Sequence, residues 1–228
     1  MIRLDVVQGS EAWRRARMGV PTASAFDRIL TPGGKPSKSA EGYLYELLGE
    51  LMMGCPHDAP KYGWMGRGNE LEEEAANWYE FQNSTGTEIV GFCTTDDGLI
   101  GASPDRLVGD EGLLELKCPA PSTHVRYLLF PDRGVEKEYA VQVQGQLHVT
   151  GRRWCDVVSY HPVIPRVIVR VERNENFIAL LDTALKAFCA QLADGKAELE
   201  RRGLLNIAPS EPRQTFGAMR HLQEVLGL

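Results

Sequence analysis

The chain has 228 residues, 43% of them hydrophobic and 25% charged, which suits one well-buried domain with a short appendage. Its formal net charge of −6 speaks against a strongly basic exterior for gripping nucleic acid, but not against a locally basic channel. Five scattered cysteines with no C-x-x-C pair argue against a disulfide framework, a zinc site or an iron–sulfur cluster. The N-terminus, Met1-Ile2-Arg3-Leu4-Asp5, lacks the features of a signal peptide. No uninterrupted apolar run approaches a membrane span, so the expected location is cytoplasmic, without a membrane partner.

In chain order, residues 10–30 predict two short helices meeting at Gly19-Val20-Pro21. Ser10 caps the first, Gly19 ends it, and Pro21 or Thr22 opens the second, whose free N–H groups offer a seat for an anion. Residues 31–39 form a basic loop carrying Lys35 and Lys38, and apolar residues at helical spacing predict a helix over 40–53. A second loop, 54–68, carries Tyr62, Trp64 and Met65; at a DNA entrance such aromatics could stack on bases, and otherwise they anchor the loop. A helix over about 69–82 follows, with Glu70, Glu72, Glu73 and Glu74 in its first turns, where the helix dipole favours negative charge.

Strands are expected over 87–93, 99–103, 106–108 and 113–118, then helical segments over 122–130 and about 136–149. Residues 154–160 and 166–172 predict a hairpin, and 176–201 a long amphipathic helix. The expected fold class is α/β, a mixed central sheet flanked by helices, with the main domain spanning 1–205. Residues 206–228 read as a linker and a short helix that packs on the domain, a neighbouring subunit or a partner.

The chemistry concentrates between Ser103 and Lys117. Turn residues at 109–112 predict a hairpin that returns Asp105 to the neighbourhood of Glu115. Alternation along the second strand places Glu115 and Lys117 on one face and Leu114, Leu116 and Cys118 on the other. Two carboxylates with a carbonyl between them are hard oxygen ligands suited to Mg²⁺, and an adjacent ammonium can hold a phosphate or act on a bound water.

Pro104-Asp105, nine residues, then Glu115-Leu116-Lys117 resembles the PD-(D/E)xK nuclease superfamily. The surrounding Ser103-Pro104-Asp105 and Leu114-Glu115-Leu116-Lys117-Cys118-Pro119 resemble the phage lambda exonuclease, or YqaJ-like viral recombinase, family. Three further stretches match in order: Trp13…Arg17-x-Gly19-x-x-Thr22-Ala23-Ser24, Gly66-Arg67-Gly68-Asn69-Glu70, and Ala140-Val141-Gln142-Val143-Gln144. The resemblance implies a PD-(D/E)xK restriction-endonuclease-like core and Mg²⁺-dependent degradation of one strand of duplex DNA, 5′ to 3′, to mononucleotides.

It also implies roles. Asp105, Glu115 and the Leu116 carbonyl would hold one metal, with Glu70 near a second and Mn²⁺ able to replace Mg²⁺. Lys117 would position and activate the water, and Gln142 would orient water or phosphate. Arg17, Ser24 and Ser103 would bind the terminal 5′ phosphate, with Trp64 at the DNA entrance. The implied partners are a double-stranded DNA end, two further copies in a homotrimeric ring, and a single-strand annealing protein in phage recombination within a bacterial cell. Two other readings fit the same residues: a restriction-type endonuclease, or a non-catalytic DNA-binding or assembly module.

Overall fold

The computed structural model describes residues 1–56, 64–131 and 137–205, and for 64–70 the backbone alone. Its centre is a five-stranded sheet ordered β2 (Thr87–Ile89), β5 (Arg106–Val108), β6 (Gly112–Lys117), β7 (Trp154–Ser159) and β8 (Val167–Glu172). The β5–β6 and β7–β8 pairs are antiparallel and β6–β7 is parallel, the mixed sheet expected. A smaller antiparallel sheet joins β1 (Ile2–Leu4), β3 (Phe92–Thr94) and β4 (Gly101–Ala102).

Helices cover both faces of β6 and β7, so these strands read as nearly continuous apolar runs. On one face Leu113, Cys155 and Val157 meet α5 (Lys137–Thr150) in a core that also holds Phe26, Tyr43, Leu181 and Phe188. On the other, Leu114, Leu116, Val158 and Tyr160 pack on Ala75, Ala76 and Tyr79 of α3 (Trp64–Asn83). Here the buried Asp156 receives Tyr79 Oη at 2.7 Å and both Arg170 Nε and Nη2 at 2.8 Å, which compensates its charge. Arg152, also buried, donates to the Gly109 and Gly112 carbonyls at 2.7 Å and so braces the β5–β6 turn.

Helices α2 (Ala40–Met53) and α4 (Pro121–Leu129) lie close to their expected bounds. The long helix α6 (Glu175–Arg201) is capped by the Asn174 side chain on the Phe177 N–H. By length and composition alone α6 is long and apolar enough to cross a membrane, although charged residues interrupt it. Its apolar stripe, Ile178, Leu181, Leu185, Phe188 and Leu192, is buried in the main core instead.

Three local expectations are corrected. The strand expected over 87–93 is split between the two sheets; between the two pieces Gly91 runs so close to Val6 that a Cβ would stand 1.9 Å from the Val6 carbonyl oxygen. The first expected helix is α1 (Glu11–Arg17), with Ser10 accepting from the Trp13 N–H; the second is only a six-residue 3-10 segment, Ala23–Arg28. That segment is wedged between β4 and α5, and Gly145 of α5 meets Phe26 so closely that a Cβ would lie 2.5 Å from its ring. Finally, α3 begins at Trp64, inside the expected loop; Tyr62 and the linker and helix at 206–228 lie outside the described residues.

Candidate active site

Three residues of tight turn fold β5 back on β6, so that Val108 pairs with Gly112 and Arg106 with Leu114. Asp105 lies one step beyond the last paired residue, where β5 no longer supplies backbone acceptors to β6. Its carboxylate supplies the acceptor instead, and Oδ2 receives the Leu116 N–H at 2.6 Å. The hairpin thus holds Asp105 beside Glu115 by a bond to the strand that carries Glu115.

Glu115 points toward α5 and is 3% exposed. Its Oε1 receives Lys117 Nζ at 2.6 Å and Gln142 Nε2 at 2.6 Å, and its Oε2 receives Gln146 Nε2 at 2.7 Å. The Lys117 ammonium also lies 4.6 Å from the centroid of the Tyr139 ring. Tyr139, Gln142 and Gln146 follow one another by three and four residues along α5, so a single helix face furnishes all three.

Charge at this site is unbalanced. Burial, and then the Glu115 charge, push Asp105 well above the ordinary carboxylate range, against the pull of Lys117 and the Leu116 N–H. Burial works against the Lys117 ammonium too, but Glu115 and Asp105 outweigh it and hold its pKa above the usual value. Lys117 is therefore a cation and hydrogen-bond donor at neutral pH. Burial, followed by the Glu72, Asp105 and Glu74 charges, pushes the Cys118 thiol up to about 12, and burial raises Cys155 as well. Neither thiol is a thiolate nucleophile.

The donor set fits a hard divalent cation. Among the described residues, hydrogen bonds reach only Oδ2 of Asp105, and Oε2 of Glu115 accepts one, which leaves oxygen capacity on both carboxylates. A cation between them would also relieve the repulsion that raises Asp105. The Leu116 carbonyl, the third expected ligand, belongs to the strand between Glu115 and Lys117. The Glu70 and Trp64 side chains lie outside the described residues, although both positions are helical.

A second cluster adjoins this one. The Pro21 carbonyl accepts the Gly101 N–H at 3.0 Å, tying the start of the 3-10 segment to β4. Arg17, at the end of α1, then reaches Ser103 Oγ at 3.3 Å, Thr22 Oγ1 at 3.2 Å and Ser24 Oγ at 3.4 Å. Its guanidinium lies 4.2 Å from the Trp13 ring centroid, and Trp13 Nε1 donates to Ser103 Oγ at 2.9 Å. Burial pulls the Arg17 pKa down, opposed by Tyr43 and Glu50, but an arginine remains cationic. Ser103 and Asp105 are separated by Pro104 alone, so their Cα atoms are at most about 7 Å apart.

Of the residues singled out in the sequence, the structure brings Asp105, Glu115, Leu116, Lys117 and Gln142 together, and gathers Arg17, Ser24 and Ser103 beside them. Lys35 and Lys38 are exposed. Gln146, Tyr139 and Thr22 were not singled out. Gln146 and Tyr139 are one helical turn from Gln142, a spacing that would have shown them.

A mixed sheet carrying Asp105 and Glu115-x-Lys117 at the end of a hairpin defines a nuclease of the PD-(D/E)xK class. Residues 12–153 match the model of the YqaJ-like viral recombinase domain. Among solved structures, the alkaline exonuclease LHK-Exo from Laribacter hongkongensis is 34% identical with a TM-score of 0.76, the alignment covering 85% of this chain and 98% of that one. LHK-Exo in complex with dAMP gives the same figures. A phage related exonuclease from Haemophilus somnus 129PT shares the fold at 14% identity and a TM-score of 0.62, over 79% of this chain and 96% of that one. No curated protein matches the chain. The chain belongs to the YqaJ-like viral recombinase family.

Proposed function

We propose that this nuclease is a Mg²⁺-dependent deoxyribonuclease that degrades one strand of linear duplex DNA from a 5′-phosphorylated end, 5′ to 3′, releasing mononucleotides. The observation that carries the reading is the link between the two clusters: Arg17, which bonds three hydroxyl groups, holds one of them on Ser103, a single residue before Asp105 of the carboxylate pair. One cluster suits a terminal phosphate and the other suits the cation needed to cut next to it. Support also comes from the relative solved as an alkaline exonuclease and in complex with dAMP, a mononucleotide.

Two Mg²⁺ ions, or Mn²⁺ in their place, would be held by Asp105, Glu115 and the Leu116 carbonyl, and beside Glu70; they would polarise the phosphate and stabilise the charge on attacking and leaving oxygens. The chain's own residues do the rest. Lys117, a cation pinned by Glu115, offers its remaining N–H bonds to a phosphate oxygen or to the attacking water. Gln142 fixes the Glu115 carboxylate and presents a neutral amide to the same space. Arg17, with Ser24 and Ser103, holds the 5′ phosphate and thereby registers the first internucleotide bond on the carboxylates.

A homotrimeric ring around the DNA, working beside a single-strand annealing protein in phage-type recombination, completes the proposal. Enclosure would give processivity without a basic exterior, consistent with the net charge of −6. The test compares linear duplexes bearing a 5′ phosphate or a 5′ hydroxyl with closed circles. Preferred digestion of the phosphorylated ends, with circles intact, is expected; cleavage of circles would establish an endonuclease instead.

A further inference from the structure

Gln146 bonds the buried carboxylate of the site without itself reaching solvent. It is 1% exposed, so it has almost no surface to offer DNA or bulk solvent. Its Nε2 donates to Glu115 Oε2 at 2.7 Å, while its own Oε1, also buried, has no hydrogen-bond partner among the described residues. Leaving a buried amide oxygen without a donor is unfavourable, and turning the amide over would set that oxygen against the Glu115 carboxylate. Packing therefore does not account for an amide at this position, whereas its N–H bond to Glu115 does.

We propose that Gln146 is a positioning residue for Glu115, fixing the carboxylate so that the free capacity of Oε2 faces the cation; this rests on the metal-dependent nuclease reading above. Lys117 and Gln142 both act on Oε1, so without Gln146 nothing described restrains Oε2, and the carboxylate can turn about its last torsion. Partners that orient a metal ligand in this way change metal affinity or activity by about 10- to 100-fold when removed. Gln144, two residues earlier, serves as the internal control. It faces away from the site, donating to the Glu172 carbonyl at 2.8 Å and accepting the Asn174 N–H at 2.9 Å.

Calorimetric titration of Mn²⁺ into the parent chain, Gln146→Met and Gln144→Met, with thermal melts and steady-state kinetics on linear duplex, tests the assignment. Gln146→Met should bind Mn²⁺ about 10- to 100-fold more weakly and lose kcat by a similar factor. Its KM for DNA should stay unchanged, its Tm should stay near the parent's, and excess Mn²⁺ should restore activity. Gln144→Met should lower Tm and leave Mn²⁺ affinity alone. Mn²⁺ affinity and kcat within twofold of the parent in Gln146→Met would overturn the role; Gln146→Leu decides the matter if the methionine variant does not fold. A parent chain that binds no Mn²⁺ would overturn the metal reading itself, and the role with it, before any variant is compared.

Discussion

The two clusters on either side of Pro104 are built in opposite ways. Around Glu115 an anion is sunk into the protein and met by an ammonium and two amides, with a second carboxylate, Asp105, left in excess. Around Arg17 a half-buried cation is met directly by three neutral hydroxyl groups and an aromatic face, with Glu50 acting on it only through its charge. The first arrangement is completed by a cation and the second by an anion. Their separation along the chain is set by one proline, so a shift in either would misplace a phosphate relative to the cutting groups.

The largest expected effect comes from removing the cation inside the anionic cluster. Lys117→Ala should lower kcat by about 10²- to 10⁴-fold, the usual worth of a group that assists proton or charge transfer. Single-turnover digestion measures this, and unchanged activity would remove Lys117 from the mechanism. In the other cluster, Arg17→Gln should cost about 1.5–3 kcal/mol, the range for a hydrogen bond to a charged group. That loss should appear in KM for 5′-phosphorylated ends and leave 5′-hydroxyl ends as they were; an equal loss on both would mean that Arg17 does not read the phosphate.

Stability should move against activity at Asp105. Because burial and Glu115 raise its pKa, the folded chain keeps a proton that the unfolded chain releases, and stability falls as pH rises above the unfolded carboxylate value of about 3.9. Asp105→Asn should impair cleavage while raising Tm near neutral pH by roughly 2–4 °C, as about 1 kcal/mol does in a chain of this size. A lowered Tm would show that the excess charge is relieved some other way.

The smallest effect concerns a group remote from chemistry. His124 is fully buried, its Nε2 bonded to the Pro165 carbonyl at 2.8 Å and its Nδ1 to Ser159 Oγ at 2.7 Å, which uses the neutral ring. Burial lowers its pKa against the Pro165 bond, with help from His161 and Arg166. The unfolded chain therefore takes up a proton first, and stability present above about pH 6.5 is lost as pH falls below it. His148, lowered by burial against Asp182, acts in the same sense. His124→Gln should make the acid-side fall in Tm shallower without flattening it.

Much of this was legible in the sequence because it depends on local periodicity. The alternation of Leu113 through Lys117 predicts which side chains share a face, and the turn composition predicts the hairpin that returns Asp105 to Glu115. The gathering of Arg17 with Ser103 was accessible only through the family resemblance, since 86 residues separate them and no local rule pairs α1 with the end of β4. Strand β1 and the split at Gly91 were missed because both depend on which distant strand each short segment meets. Gln146 was passed over because it lies outside the stretch that carries the resemblance, yet helical spacing from Gln142 places it on the same carboxylate.

Digestion of linear duplex carrying a labelled 5′ phosphate, with Mg²⁺ or with EDTA, tests most directly the claim that the two clusters form one end-directed site. With Mg²⁺ the label should appear first as a mononucleotide, and with EDTA it should remain on full-length strand. Release of labelled oligonucleotides in Mg²⁺, or undiminished release of mononucleotide in EDTA, would contradict the account.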